Sequence, residues 1–182
     1  MLTSGSVIAG AWRIQSYLGE GACAKVYTVV PANGQTLDYE LVAKVIPLPT
    51  GSMNSKGYKE QNRVCNTLFY EYTLYTGLLT SAPFVPRRPL KFYGDDQTLK
   101  VRYLVMERLD CDLVALASNP SLTYARLGDI GLQIFAALQW LHQRNFLFID
   151  VKPDNFMVKG DKVYLVDCKS ICYLFLLNTI PN

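Results

Sequence analysis

Charge of either sign is scarce in this 182-residue chain: 18 Lys and Arg stand against 15 Asp and Glu, a formal net charge of +3. A balance that small points to neither a nucleic-acid partner nor a membrane surface. No stretch approaches the roughly 18 apolar residues of a membrane span, and the longest late run, Ile171 to Leu177, is far too short. The start lacks a basic segment followed by an apolar core, so no secretory signal is read there. Cys23, Cys65, Cys111, Cys168 and Cys172 are odd in number and scattered, with no Cys-x-x-Cys pair. That pattern argues against a disulfide framework or a zinc site and suits reduced thiols inside a cell, in the cytoplasm or nucleus. Histidine is nearly missing too. His142 is the only one, and it falls near the end of an expected helix, where a cation favours capping or packing over a ligand or base role. What the chain has in quantity is apolar residues, half of the total with 18% charged. That excludes disorder and, at this length, gives about one domain with a real core.

The stretch that organises the chain is Phe148-Ile149-Asp150-Val151-Lys152-Pro153-Asp154-Asn155, followed by the apolar strand Val163-Tyr164-Leu165-Val166 and then Asp167. Pro-Asp-Asn alone is ordinary turn chemistry. The spacing Asp-x-Lys-Pro-x-Asn, then a strand ending in Asp, is the kit that phosphoryl transfer from Mg-ATP needs. One Asp takes a hydroxyl proton, and an Asn with a second Asp holds Mg²⁺.

Upstream, residues 1–11 are small and nondescript and read as a frayed lead-in. Trp12 to Leu18 alternates as a half-buried strand and runs into Gly19-Glu20-Gly21-Ala22-Cys23-Ala24-Lys25-Val26, then a second strand, Tyr27 to Val30. Such a turn lets backbone amides approach phosphates, with Val26 placed to pack on a base; a plain hairpin turn gives the same pattern. Tyr39 to Ile46 is a strand carrying Lys44 among apolar neighbours, so Lys44 either faces solvent or serves a site.

Val64, Leu68, Glu71, Tyr75 and Leu78 share one face of the next helix, which ends near Gly77. A carboxylate on that stripe is costly unless paired, and Lys44 is the partner that a phosphate-binding pair would use. Leu90–Tyr93, a turn at Gly94-Asp95-Asp96, and Leu99–Met106 read as a hairpin. By order along the chain, Met106 to Leu109 would be a hinge, with Met106 lining the back of an adenine pocket and the backbone of Glu107 and Leu109 hydrogen-bonding the base. Asp110 or Asp112 could reach a ribose, or be solvated. Tyr124 to Gln143 is a helix apolar nearly all round, which expects burial on most sides.

With these residues in place the chain resembles a eukaryotic-type protein kinase domain of the casein kinase I and vaccinia-related kinase group. Leu68-Phe69-Tyr70-Glu71-Tyr72-Thr73-Leu74-Tyr75 is similar to the group's helix, Leu104-Val105-Met106-Glu107 to its hinge entry, and Asp150-Val151-Lys152-Pro153-Asp154-Asn155-Phe156 to its catalytic loop. The resemblance implies an α+β, two-lobed fold: a complete N-terminal lobe, with a five-stranded sheet and one helix, and an incomplete, mainly helical C-terminal lobe. The expected boundaries are a lead-in at 1–11, an N-lobe at 12–106, a partial C-lobe at 107–167 and a divergent apolar tail at 168–182. It implies ATP and Mg²⁺ as cofactors and a protein Ser/Thr hydroxyl as substrate. Asp150 is then the base, Lys152 a stabiliser of the transferring phosphate, Asn155 and Asp167 the metal ligands, Lys44 with Glu71 the ATP-positioning pair, and Gly19 and Gly21 the phosphate lid.

Three departures qualify the resemblance. Phe148-Ile149 replace a His-Arg pair, which argues against activation through an Arg and a phosphorylated loop. Cys168 and Lys169 stand where an aromatic and a Gly follow the second Asp, and Lys resists the backbone angles Gly allows. The substrate-groove helices of the family are not in this chain. Their absence would leave an apolar face at 124–143 for a partner, for aggregation, or for Ile171 to Leu177 to cover. The alternative function is a nucleotide- or partner-binding pseudokinase, an inactive shortened form.

Overall fold

The computed structural model describes residues 2–21 and 23–173. They form two compact units, one made of residues up to Gly77 with Arg87–Arg108, the other of Leu78–Pro86 with Leu109 onward. The boundary differs from the expected division after 106, because Leu78–Pro86 leaves the first unit and joins the second. The reason is local: the Leu165 N–H donates to the Phe84 carbonyl at 2.7 Å, and the Phe84 ring packs edge-on against Trp140 at 5.4 Å.

In the first unit β1 (Val7–Ile8), β2 (Trp12–Glu20), β3 (Lys25–Pro31), β4 (Leu41–Pro47), β5 (Tyr93–Asp96) and β6 (Val101–Glu107) form one antiparallel sheet, ordered β1-β2-β3-β4-β6-β5. One helix, α1 (Lys56–Thr76), sits between β4 and β5 in the chain. The sheet has six strands, one more than expected. The supposed frayed lead-in supplies the sixth: Ile8 pairs with Trp12 and is fully buried. Its hairpin turns through Ala9 and Gly10, both at positive φ (50° and 67°), and only Gly10 signals that turn in the sequence.

Strand alternation sorts the sheet's two faces. Ile8, Trp12, Ile14, Tyr27, Val29, Leu41, Ala43, Val45, Val101, Tyr103 and Val105 make one continuous core. The other set of β4 and β6 residues meets α1, which buries Cys65, Leu68, Glu71 and Tyr75 at helical spacing. Ser55 caps the start of α1 by accepting from the Tyr58 N–H, and the Gly77 N–H closes its end on the Thr73 carbonyl.

Gly94-Asp95-Asp96 is strand, not the expected turn, and the chain reverses over 97–100 instead. The Asp96 carboxylate fixes this by accepting from the Thr98 and Leu99 N–H groups, and it also accepts from Ala9. A Cβ on Gly94 would lie 2.9 Å from the Tyr103 hydroxyl, so a larger residue in that strand would have to displace the Tyr103 ring.

The second unit continues with β7 (Cys111–Asp112), α2 (Leu113–Ala117), α3 (Tyr124–His142), β8 (Phe146–Phe148), β9 (Phe156–Lys159), β10 (Lys162–Leu165) and β11 (Ile171–Tyr173). They form a β10-β9-β7 sheet and a β11-β8 pair. Among the described residues this unit has five short strands, but its longest element by far is the 19-residue helix α3, in keeping with the mainly helical expectation. α3 packs on β8 and β10 through Ile130, Ala137 and Leu141. Its polar side holds the β9–β10 turn, with Gln133 bonded to Val163 and Asp161 and Arg126 to Gly160 and Asp161. α3 is not buried on most sides: Leu132 is 70% and Phe135 66% exposed among the described residues. The start of the apolar tail, Ile171 to Tyr173, pairs with β8; the rest of the expected tail, 174–182, lies outside the described residues.

Candidate active site

The first unit gathers one set of expected site residues on one sheet face. In register, Val26 lies opposite Lys44 and Lys44 opposite Leu104, while Val42 lies opposite Met106. Alternation then puts Val26, Lys44 and Met106 on the same face, the face α1 covers. There Lys44 Nζ lies 2.7 and 3.0 Å from the two Glu71 carboxylate oxygens. The Tyr75 hydroxyl donates to the same carboxylate at 3.1 Å. The Glu71 side chain is 6% exposed and that of Lys44 22%. Such a carboxylate is stable there only because it is paired.

Gly19 lies opposite Val26 at the β2–β3 turn, and the Gly21 N–H donates to the Ala24 carbonyl at 2.9 Å. Neither glycine is at positive φ. A Cβ on Gly19 meets nothing within 4 Å, and one on Gly21 meets only the Ala24 carbonyl at 3.8 Å. The fold itself does not require glycine at either position.

Met106 and Glu107 are both buried, and Leu109, in the second unit, is buried too. Glu107 is gripped by Arg87, a residue the sequence did not single out. Arg87 donates to its carboxylate through Nε and Nη2, both at 3.0 Å, and stacks on the Tyr39 ring at 4.0 Å. The Glu107 N–H donates to the Arg87 carbonyl at 2.8 Å, so that group is committed within the unit. Asp110 and Asp112 have structural work: Asp110 accepts from the Gly160 N–H, and Asp112 caps α2 by accepting from Ala115.

The second unit gathers the other set. After β8, Asp150 is held from two sides. Lys152 Nζ lies 2.9 Å from its Oδ2, and the Asn155 amide donates to its backbone carbonyl at 2.7 Å and to Oδ2 at 3.0 Å. The Lys152 hydrogen bond, then that of Asn155, holds the Asp150 carboxyl below its ordinary value, and the same contact raises Lys152. Asn155 is buried in a single 3-10 turn, Pro153–Asn155, and its carbonyl accepts from the Val166 N–H, which ties the loop to the segment before Asp167. Phe148 and Phe156 pack edge-on at 5.9 Å beneath it. Ile149, by contrast, is 63% exposed.

Asp167 adopts a left-handed backbone, φ 57° and ψ 52°. The expected backbone conflict at Lys169 does not arise, because Lys169 sits in a 3-10 turn (Cys168–Ser170) and the positive φ falls on Asp167. Lys169 Nζ lies 2.9 Å from Asp167 Oδ2.

Among the described residues no group of three or more His, Cys, Asp or Glu is arranged to hold a metal alone. One carboxylate (Asp167) and one amide oxygen (Asn155) are a hard-oxygen set of the kind Mg²⁺ uses when phosphates and water complete its shell. Among the described residues no helix is long and apolar enough to cross a membrane.

A family model described as protein kinase domain matches residues 12–169. The chain is 26% identical over 174 residues to the B1 kinase of vaccinia virus (strain Ankara), covering 86% of this chain and 51% of the viral protein. The B1 kinase of monkeypox virus gives the same identity and covers 50% of that protein. A shorter stretch of 69 residues is 33% identical to cyclin-dependent kinase F-4 of Oryza sativa subsp. japonica, 37% of this chain and 15% of the relative. The chain therefore spans about half the length of the B1 kinases it matches. The Asp150–Asn155 loop and Lys44 both fall inside the matched 12–169 segment, and the chain belongs to the protein kinase family.

Proposed function

We propose that this chain carries the nucleotide-binding and phosphotransfer residues of an ATP-dependent Ser/Thr protein kinase. The observation that carries the reading is the Asp150 carboxylate. It is part-exposed and held in place by Lys152 and Asn155, and with no raised value it is ionised at neutral pH as an ordinary aspartate is. A fixed, ionised carboxylate is what accepting a proton from a substrate hydroxyl requires.

Each remaining residue then has one task. Lys44, oriented by Glu71, binds phosphate oxygens. Gly19 and Gly21 let backbone N–H groups approach them, and Val26 and Met106 flank the base beside the backbone of Glu107. Lys152, already beside Asp150, stabilises negative charge on the group in transfer. Asn155 and Asp167 hold Mg²⁺, which when bound neutralises charge on the phosphates. In this reading the substrate is a Ser or Thr hydroxyl of a protein, the first unit is the kinase N-lobe and the second a partial C-lobe. The exposed Leu132 and Phe135 on α3 mark a face for a partner. An intracellular site, cytoplasmic or nuclear, suits five scattered cysteines with no Cys-x-x-Cys pair.

The test is a thermal melt of the chain with and without Mg-ATP, followed by transfer of labelled γ-phosphate to a protein acceptor and identification of the labelled amino acid. Mg-ATP at a hundredfold excess over its dissociation constant should stabilise by about 2.7 kcal/mol. Label on Ser or Thr that disappears in Asp150→Asn is the expected result. A cooperative melt that Mg-ATP does not shift would favour a partner-binding pseudokinase instead.

A further inference from the structure

We propose that Lys169 is a resident cation on Asp167 that competes with Mg²⁺, so that this chain holds its metal weakly until the ammonium is displaced. The inference rests on the reading of Asp167 as a metal ligand and adds a residue that tunes that site.

The pair is built by the backbone. Asp167 takes the left-handed conformation, and the 3-10 turn Cys168–Ser170 folds the chain back on it, bringing Lys169 Nζ to 2.9 Å from Asp167 Oδ2. The turn is fastened on both sides. Cys168 is fully buried, the Ile149 N–H donates to the Ser170 carbonyl at 3.0 Å, and Ile171 begins β11 opposite Phe148. Lys169 is thus tethered over the carboxylate.

An ammonium at hydrogen-bond distance occupies one carboxylate oxygen and sets a positive charge where a divalent cation must come. Metal binding at that oxygen competes with a charged hydrogen bond, and at the other oxygen it meets the charge of the same ammonium. Displacement is feasible, since the two side chains are 36% and 35% exposed and the ammonium can swing into water. The neighbouring Asp150 carries its own ammonium, Lys152, at the same distance, so both carboxylates of the cluster are charge-compensated by this chain's own lysines. Nucleotide phosphates, by adding ligands to the metal, would shift the competition against Lys169.

The experiment is Mn²⁺ binding by electron paramagnetic resonance, with and without a non-hydrolysable ATP analogue, since carboxylate and water ligands suit Mn²⁺ as they do Mg²⁺. Lys169→Met should bind Mn²⁺ about three- to tenfold more tightly than the wild type, as expected for losing a partly exposed charged competitor. Lys169→Arg, which keeps the charge, should stay near the wild type, whereas a merely structural role would disturb both variants. Lys169→Gln serves as a second neutral variant should Lys169→Met fail to melt cooperatively. An unchanged or weaker dissociation constant in the neutral variants, or no binding by wild type and neutral variants alike, overturns the inference. Asp167→Asn separates the two readings. Loss of Mn²⁺ there with unchanged Lys169 variants overturns this inference alone; retained Mn²⁺ overturns the metal-ligand assignment and this inference with it.

Discussion

Replacing Lys44 with Met should destabilise the first unit by about 3 kcal/mol before any nucleotide is considered. Glu71 is nearly buried, and two of its contacts are the Lys44 ammonium, 2.7 and 3.0 Å from its oxygens, and the Tyr75 hydroxyl. At an effective dielectric of about 20 the gross attraction at that range is on the order of 6 kcal/mol. Desolvation offsets much of it, but removing one partner leaves the other's burial uncompensated, which costs about 3–5 kcal/mol in buried pairs. Lys44 keeps 22% exposure, so the lower end applies. Glu71→Leu should cost less, about 1 kcal/mol, because the freed ammonium can reach water. The double variant Lys44→Met/Glu71→Leu should also cost about 1 kcal/mol, since an apolar pair replaces an ionic one almost neutrally. The coupling is then about 3 kcal/mol. Urea unfolding measures it, with emission from Trp12, buried in the core of the same unit, read in a Trp140→Phe background. Single effects that simply add to the double, within about 0.5 kcal/mol, would show that the pair does not form in the folded protein.

Gly19→Ala and Gly21→Ala should leave the melting temperature within a degree or two, about 0.5 kcal/mol, while weakening ATP in a binding titration; a large loss of stability would contradict the open space around both positions. The Asp150 carboxyl should titrate below 3.8 in a carboxyl-labelled NMR experiment, and Lys152→Met, by removing the largest cause of that shift, should move it upward. A midpoint that stays put in Lys152→Met would discount the contact. Asp96 gives a stability test. Burial alone would raise its carboxyl, but N–H donors from Leu99, Ala9 and Thr98 outweigh it and hold the folded value below 3.8. Its contribution is therefore present above the unfolded value and fades as pH falls through the lower folded one. Asp96→Asn should cost about 1–3 kcal/mol at neutral pH, and the gap from wild type should narrow in urea melts at the acid end; a gap independent of pH would refute the charge's role.

The sequence determined what is carried by short-range pattern. That Asp150, Lys152 and Asn155 fall together in one loop is legible because they stand within six residues, and α1 with Glu71 on its buried stripe is legible because helical periodicity is local. The strand alternation of β2, β3, β4 and β6 was open for the same reason. Only the tertiary structure decided which strands meet in which register, and so that Val26, Lys44 and Met106 share a face. It also revealed β1, whose pairing depends on an alanine at positive φ and on a distant acceptor, Asp96, neither of which any local pattern announces. Arg87 belongs to the same class: it is an unremarkable cation in the sequence, and its role follows from the Glu107 carboxylate that the fold carries to 3.0 Å from it. Long-range pairing is a property of the packed chain, because it depends on where the backbone turns and what burial demands of a charge once it arrives.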